Sequence, residues 1–214
     1  QAVCLASPLR DVYKRQGVMF IFIAITKYKD LTNDDVQHFL DISDGIDGLL
    51  FRTPMSSSDL SSFLTSLIEK GFPKSKIIIH SDVHLLEQLH LSHIHFREMD
   101  EDAFSYKSTH PEIEVSMSTH SIESVKAAYE HDLDYVFFGH IFKTPSKPNQ
   151  LPRSKAEIQR VLEIPIPIYA IGGITEKTIL QLPHGFKGIC AISFFMNASL
   201  QQIELLRKEW LKDA

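Results

Sequence analysis

Eight short runs of β-branched and aromatic residues punctuate the chain, and segments with apolar residues at helical spacing lie between them. The runs are Phe20–Thr26, Gly48–Arg52, Lys76–His80, Ile94–Arg97, Glu114–Ser118, Tyr135–Gly139, Ile168–Ile171 and Gly188–Ser193. A strand reaches a parallel neighbour only through a crossover long enough to hold a helix, so this alternation predicts repeated βαβ units. Helical spacing is clear at Val36, Phe39 and Leu40, at Leu60, Phe63, Leu64 and Leu67, and at Ile122, Val125, Ala128 and Tyr129. Thr32-Asn-Asp-Asp35, Ser56-Ser-Ser-Asp-Leu60 and Ser121-Ile-Glu123 supply cap oxygens and early negative charge, and a last helix is predicted over Ser199–Leu211. Eight strand–helix pairs predict an α/β chain folded as a single (β/α)8 TIM barrel, at the small end of that fold's size range. An open doubly wound sheet would need a glycine-rich turn after the first strand, and Thr26-Lys-Tyr-Lys-Asp30 has no glycine.

Residues 1–18 show neither period and lack the long apolar run of a signal peptide. They are expected to be a disordered, non-native leader of adapter or upstream origin, with Met19 as the start and 19–214 as one barrel domain. The leader carries three cations and one anion, a net +2, so the remainder stands at −7 rather than −5. An acidic body without a Lys/Arg cluster argues against nucleic acid or an anionic membrane as partner. No apolar run approaches the roughly 20 residues of a membrane span. Cys4 falls in the leader, and Cys190 in a strand is expected to be a small core residue. A single such thiol fits a reducing cytoplasm.

In a barrel of this kind the C-terminal strand ends face the active site. Here they read Arg52, His80, Arg97-Glu98, His120, His140, Gly172-Gly173 and Ser193. A strand-end histidine is commonly a structural, hydrogen-bonded residue, but imidazole also titrates near neutral pH and suits acid–base work. Arg52 is a candidate for a substrate anion. Gly172-Gly173 allows backbone N–H groups to approach an anion, with Thr175 expected to open a helix behind them and Ile192-Ser193 beside them. The spacing His80-Ser-Asp-Val-His84, with His93 and His95, invites a metal. His80 ends a strand, however, and no carboxylate cluster supports the site, so no metal ligand is predicted. Pro145 to Pro152 is expected to be a mobile loop.

Three segments together resemble the thiamin phosphate synthase/TenI superfamily: Ser118-Thr-His-Ser121, Asp134-Tyr-Val-Phe-Phe-Gly-His-Ile-Phe142 and Ala170-Ile-Gly-Gly-Ile-Thr175. The similarity runs from about Phe20 to Ala198, and is most like the TenI-type thiazole tautomerases. The resemblance implies a barrel, usually dimeric, that acts on a thiazole phosphate in thiamin biosynthesis. The synthases of this superfamily join a pyrimidine pyrophosphate to the thiazole phosphate with magnesium, using Gln-x-Arg-x-Lys at the end of strand 2 and aspartates after strands 3 and 4. Here the Gln and Lys positions are Leu50 and Pro54, and the first magnesium aspartate falls on His84, while Asp100 matches the second. Thr144-Pro-Ser-Lys147 resembles the synthase's substrate-closing loop. Phe194 replaces a small residue.

These departures lead to the expectation of a thiazole tautomerase, an isomerase without cofactor. A proton would leave the ring carbon bearing the carboxylate, and one would arrive at the exocyclic carbon. The resemblance gives His140 the acid–base role and His120 the second active-site position. It makes Arg52, Ser118, Thr144, Ser146 and Lys147 candidates for the substrate, with Gly172, Gly173, Ile192 and Ser193 around its phosphate. A homodimer, a small-molecule partner and a cytoplasmic location are expected. The alternatives are a magnesium-dependent thiamin phosphate synthase, a non-catalytic regulatory protein that keeps the pocket, and a metal-dependent sugar-phosphate epimerase suggested by Asp82-Val-His84.

Overall fold

A computed structural model describes residues 21–212. The expected leader, Cys4, Met19 and Phe20 lie outside the described residues. The strands are β1 (Phe22–Ile25), β2 (Gly48–Phe51), β3 (Ile77–His80), β4 (His93–Phe96), β5 (Glu114–Thr119), β6 (Tyr135–Gly139), β7 (Ile168–Ile171) and β8 (Gly188–Ala191). They pair in parallel, each with its sequence neighbour, and β1 also pairs with β8, which closes the barrel. The helices are α1 (Asn33–Ile42), α2 (Ser57–Glu69), α3 (Val83–Gln88), α4 (Glu101–Thr109), α5 (Ile122–Glu130), α6 (Lys155–Leu162), α7 (Ser193–Asn197) and α8 (Leu200–Lys212). The predicted (β/α)8 barrel is the observed fold. None of these helices is long and apolar enough to cross a membrane.

Successive side chains on a strand face opposite sides of the sheet, so a closed sheet sorts each strand into an inner and an outer set. Ile23, Ile25, Leu50, Ile78, Tyr135, Phe137, Tyr169 and Cys190 form the inner cluster. Phe22, Ala24, Leu49, Phe51, Ile77, Ile79, Ile94, Phe96, Met117, Val136 and Phe138 face outward and pack beneath the helices. Cys190 is fully buried, as expected, and burial pushes its thiol pKa well up.

The helix starts follow their caps. Side chains of Ser56, Asp82, Asp100, Ser121 and Ser154 accept hydrogen bonds from the backbone N–H groups of Asp59, Leu85, Asp102, Ser124 and Glu157. Three local expectations differ from the structure. Tyr129, grouped by spacing with the buried face of α5, is 46% exposed. β8 stops at Ala191 rather than Ser193, which instead begins the short α7. No α-helix opens at Thr175. The Thr178 hydroxyl accepts from Thr175 N at 2.8 Å and donates to the Gly173 carbonyl at 2.8 Å, closing a turn that yields only a 3-10 segment, Ile179–Gln181, before Pro183.

One carboxylate secures the closure. Asp47 Oδ2 accepts from Ile21 N at 2.9 Å, Phe22 N at 2.8 Å and Arg207 Nη2 at 2.9 Å, tying β1 and α8 to the turn before β2. The Arg207 guanidinium also lies over the Phe22 ring, 4.7 Å from its centroid. Asp47→Ala removes the acceptor shared by three donors and is expected to cost about 2–4 kcal/mol. Urea unfolding should show a lower midpoint at unchanged slope; an unchanged midpoint would mean that water replaces the carboxylate without loss.

Candidate active site

The inner rows continue past the apolar cluster to the C-terminal rim. Counting in steps of two from Leu50 and Ile78 puts Arg52 and His80 on the inner row, and Leu50 pairs with Ile78 across β2 and β3. His80 pairs with His95 on β4, and His95 pairs with Ser116 on β5. The same row carries Arg97 beyond His95, and Ser118 and His120 beyond Ser116. Arg52, His80, Arg97, Ser118 and His120 therefore form one continuous wall across four strand ends. Period-2 alternation alone assembles it.

His95 anchors the wall. Its ring is buried, stacks on Phe137 at 4.1 Å between centroids, and lies 2.8 Å from Ser116 Oγ through Nδ1 and 2.8 Å from Ser118 Oγ through Nε2. The Ser116 hydroxyl donates to the Ile94 carbonyl at 3.3 Å, so it accepts from Nδ1–H. That leaves Nε2 to accept the Ser118 hydroxyl proton, and Ser118 offers its lone pairs to the pocket. Burial and the neighbouring His80 hold His95's pKa well below its ordinary value, consistent with a neutral ring. The sequence offered His95 only as a metal candidate. Its two serine partners, 21 and 23 residues away, carry no spacing signal.

His80 stands 6.2 Å from His95 between ring centroids. Burial, then the charges of Arg52 and Arg97, depress its pKa to about 4, against a smaller opposing effect of Asp100. His120 is half-buried and held by Glu98, which accepts from His120 N at 2.7 Å and pairs with Nδ1 at 2.9 Å. Burial opposes charge on Glu98. Hydrogen bonds from Ser124 and from His120 outweigh it and keep the carboxyl pKa below its usual value. Arg153 Nη1 donates to the His120 carbonyl at 2.9 Å, and Arg153 N donates to the His140 carbonyl at 3.0 Å. Glu98 and Arg153 position the two expected histidines; the sequence named Glu98 only as a strand-end residue without a role, and Arg153 not at all.

His140 is 3% exposed and its Nε2 lies 3.3 Å from the Gln150 carbonyl, so Nε2 carries the hydrogen. Its Nδ1 has no hydrogen-bond partner. Gln150 belongs to the segment 143–152, which also contains Thr144, Ser146 and Lys147; Lys147 N donates to the Thr144 carbonyl at 3.1 Å. Gly172 and Gly173 sit at φ of +96° and +68°, where only glycine is at ease. A Cβ on Gly172 would collide with His140, and one on Gly173 with Lys143 and Phe142. Close approach of the β6 loop therefore requires both glycines before any anion is considered. Ser193 and Phe194 line an open cleft of about 410 Å³ with Thr175, Lys177 and Asn197, on the β7–β8 side of the rim. The cleft shares no residue with the histidine wall.

A divalent metal fits this rim poorly. Among the described residues no three His, Cys, Asp or Glu side chains gather around one point. Asp82 is occupied by Leu85 N and the Ser57 hydroxyl, Asp100 caps Asp102 N at 3.1 Å, and His84 is exposed. One free carboxylate edge is a weak magnesium donor set.

A profile of the family described as thiamine monophosphate synthase matches residues 33–195. The chain belongs to this family. A putative thiamine-phosphate synthase 2 of Aquifex aeolicus is 36% identical over 105 residues, 48% of this chain and 56% of that protein. A thiamine-phosphate synthase of Geobacillus thermodenitrificans is 33% identical over 125 residues, 56% of this chain and 57% of that one. The chain thus spans little more than half the length of these curated relatives. Thiamine phosphate pyrophosphorylase of Pyrococcus furiosus shares the fold, with a TM-score of 0.75 at 19% identity over 90% of this chain and 96% of the other. These relatives bear synthase names, which overturns the expectation of a thiazole tautomerase and of an isomerase.

The depressed His80 pKa has a direct consequence. Unfolded imidazole protonates near 6.5, whereas the folded ring does so only near 4. The unfolded chain binds more protons between these values, so stability from this group is complete above pH 6.5 and is lost as pH falls toward about 4. An NMR titration of the imidazole signals should show His80 neutral at pH 5; a midpoint near 6.5 would contradict its burial beside Arg52 and Arg97.

Proposed function

We propose that this chain is a transferase of thiamine biosynthesis that couples a pyrimidine diphosphate to a thiazole phosphate, the reaction named for its relatives. Membership in the family supports the reading, and the observation that carries it is the inward wall of Arg52, His80 and Ser118. Coupling breaks a carbon–oxygen bond to diphosphate, which leaves with the electron pair, while the thiazole nitrogen bonds to that carbon. Charge accumulates on the leaving group. A fixed cation aimed at that position lowers the barrier, because it needs no reorganisation when the charge appears.

Arg52 is the candidate for this cation. Its side chain extends from the inner row and lies against Tyr28, 5.1 Å from the ring centroid. Ser118, with its proton directed to His95, accepts a hydrogen bond from an amino group and suits an aminopyrimidine. Thr144, Ser146 and Lys147 form a polar, cationic turn beside His140, suited to the diphosphate. Gly172, Gly173, Ile192 and Ser193 are assigned to the thiazole phosphate. The coupling moves no proton to or from a ring carbon. His140 therefore enters as the anchor of segment 143–152, and His120 as the residue that Glu98 holds at the pocket edge.

Purified protein incubated with both substrates should release diphosphate and form thiamine phosphate. Arg52→Ala should lower kcat/KM about 100-fold or more, comparable to removing one transition-state donor. Product formation absent under all ionic conditions would overturn the proposal.

A further inference from the structure

Arg97 is a rim cation that the family motif does not explain. Arg97 follows β4 on the same inner row as His95, while Arg52 follows β2 on the row of Leu50. His80, on the strand between them, is level with His95. Adjacent strands lie about 4.8 Å apart and residues rise about 3.3 Å along them, so the two arginines flank His80 from either side of one short arc. Both side chains are exposed, and neither forms an ion pair among the described residues. Glu98, next to Arg97 in sequence, is occupied by His120. Asp100 stands close enough to His80 to influence it but already caps its own helix.

Two features of the chain make this pair consequential. Pro54 stands where the strand-2 motif carries a lysine, and His84 stands where the family carries a magnesium aspartate after strand 3, so one cation and one metal ligand are absent. The donor set that remains gathers no metal site among the described residues. Guanidinium binds phosphate oxygens bidentately and stays charged at every relevant pH, which is what a multiply charged leaving group requires where no metal neutralises it.

We infer that Arg97 and Arg52 clamp the substrate's diphosphate between them, taking over charge neutralisation that a bound magnesium ion would otherwise supply. The inference rests on the synthase reading of this pocket. His80 sits between the two cations as a neutral ring that can donate one hydrogen bond without adding charge. Diphosphate affinity is accordingly a property of the protein alone.

Calorimetric titration of inorganic diphosphate into the full chain, in EDTA and then in excess magnesium, tests this directly. Wild-type protein should bind equally within about twofold under both conditions. Arg97→Ala should weaken binding about tenfold or more in EDTA, the loss of one charge-assisted contact. Arg97→Lys should recover part of the affinity and steepen its salt dependence. Thermal melts of both variants should match wild type, since Arg97 is exposed. Binding that appears only with magnesium, or an Arg97→Ala variant that binds like wild type, overturns the clamp while leaving the synthase reading standing. No diphosphate binding under either condition overturns both.

Discussion

Closure of the sheet is the constraint on which the rest depends. Once β8 pairs with β1, every strand has a fixed inner row, and no residue on it can leave the lumen without breaking a ladder of backbone hydrogen bonds. Below the rim these rows are apolar on six strands, from Ile23 through Phe137 to Cys190, while β4 and β5 bury His93, His95 and Ser116 there. Above it they turn polar on four adjacent strands at about the same level, giving Arg52, His80, Arg97, Ser118 and His120. A one-residue slip of any of these strands would send its polar end into the helix layer. The polar wall and the hydrophobic core are thus set by the same register.

That dependence explains what was legible in the sequence. Strands with β-branched runs were visible within one or two residues, and the barrel followed from their number and the helical spacers. Strand-end residues were legible for the same reason, since period 2 carries from Leu50 to Arg52 and from Ile78 to His80. The partner of Glu98, a residue named only as a strand end, and the role of Arg153 were not. Each residue reaches backbone or imidazole atoms more than twenty residues away, and a single loop residue has no periodicity to reveal that. Thr175 misled because a polar residue after two glycines resembles a helix cap, while here Thr178 turns the backbone back on Gly173.

Activity was less legible than fold, and the reason is electrostatic. Leu50, Pro54 and His84 depart from a motif written position by position, and a motif read that way counts each departure as lost chemistry. A leaving anion responds to the total field at its position, not to the strand that supplies a charge. Arg97, two residues beyond His95 and named from sequence only as a strand end, lies on the same arc as Arg52. The family assignment and the altered motif are therefore compatible.

The two glycines show how one local requirement links both sides of the rim. Gly172 and Gly173 lack side chains because His140, Phe142 and Lys143 occupy the space a Cβ would need. That contact fixes the β6 loop, and His140 Nε2 then meets the carbonyl of Gln150 as the chain returns. Three residues later Arg153 bonds the carbonyls of both His140 and His120, just before Ser154 caps α6. Segment 143–152 is consequently held at both ends by the histidines' own neighbourhood. Thr144, Ser146 and Lys147 therefore lie in a segment whose return is pinned by hydrogen bonds of 3.3 and 3.0 Å to His140 and of 2.9 Å to His120.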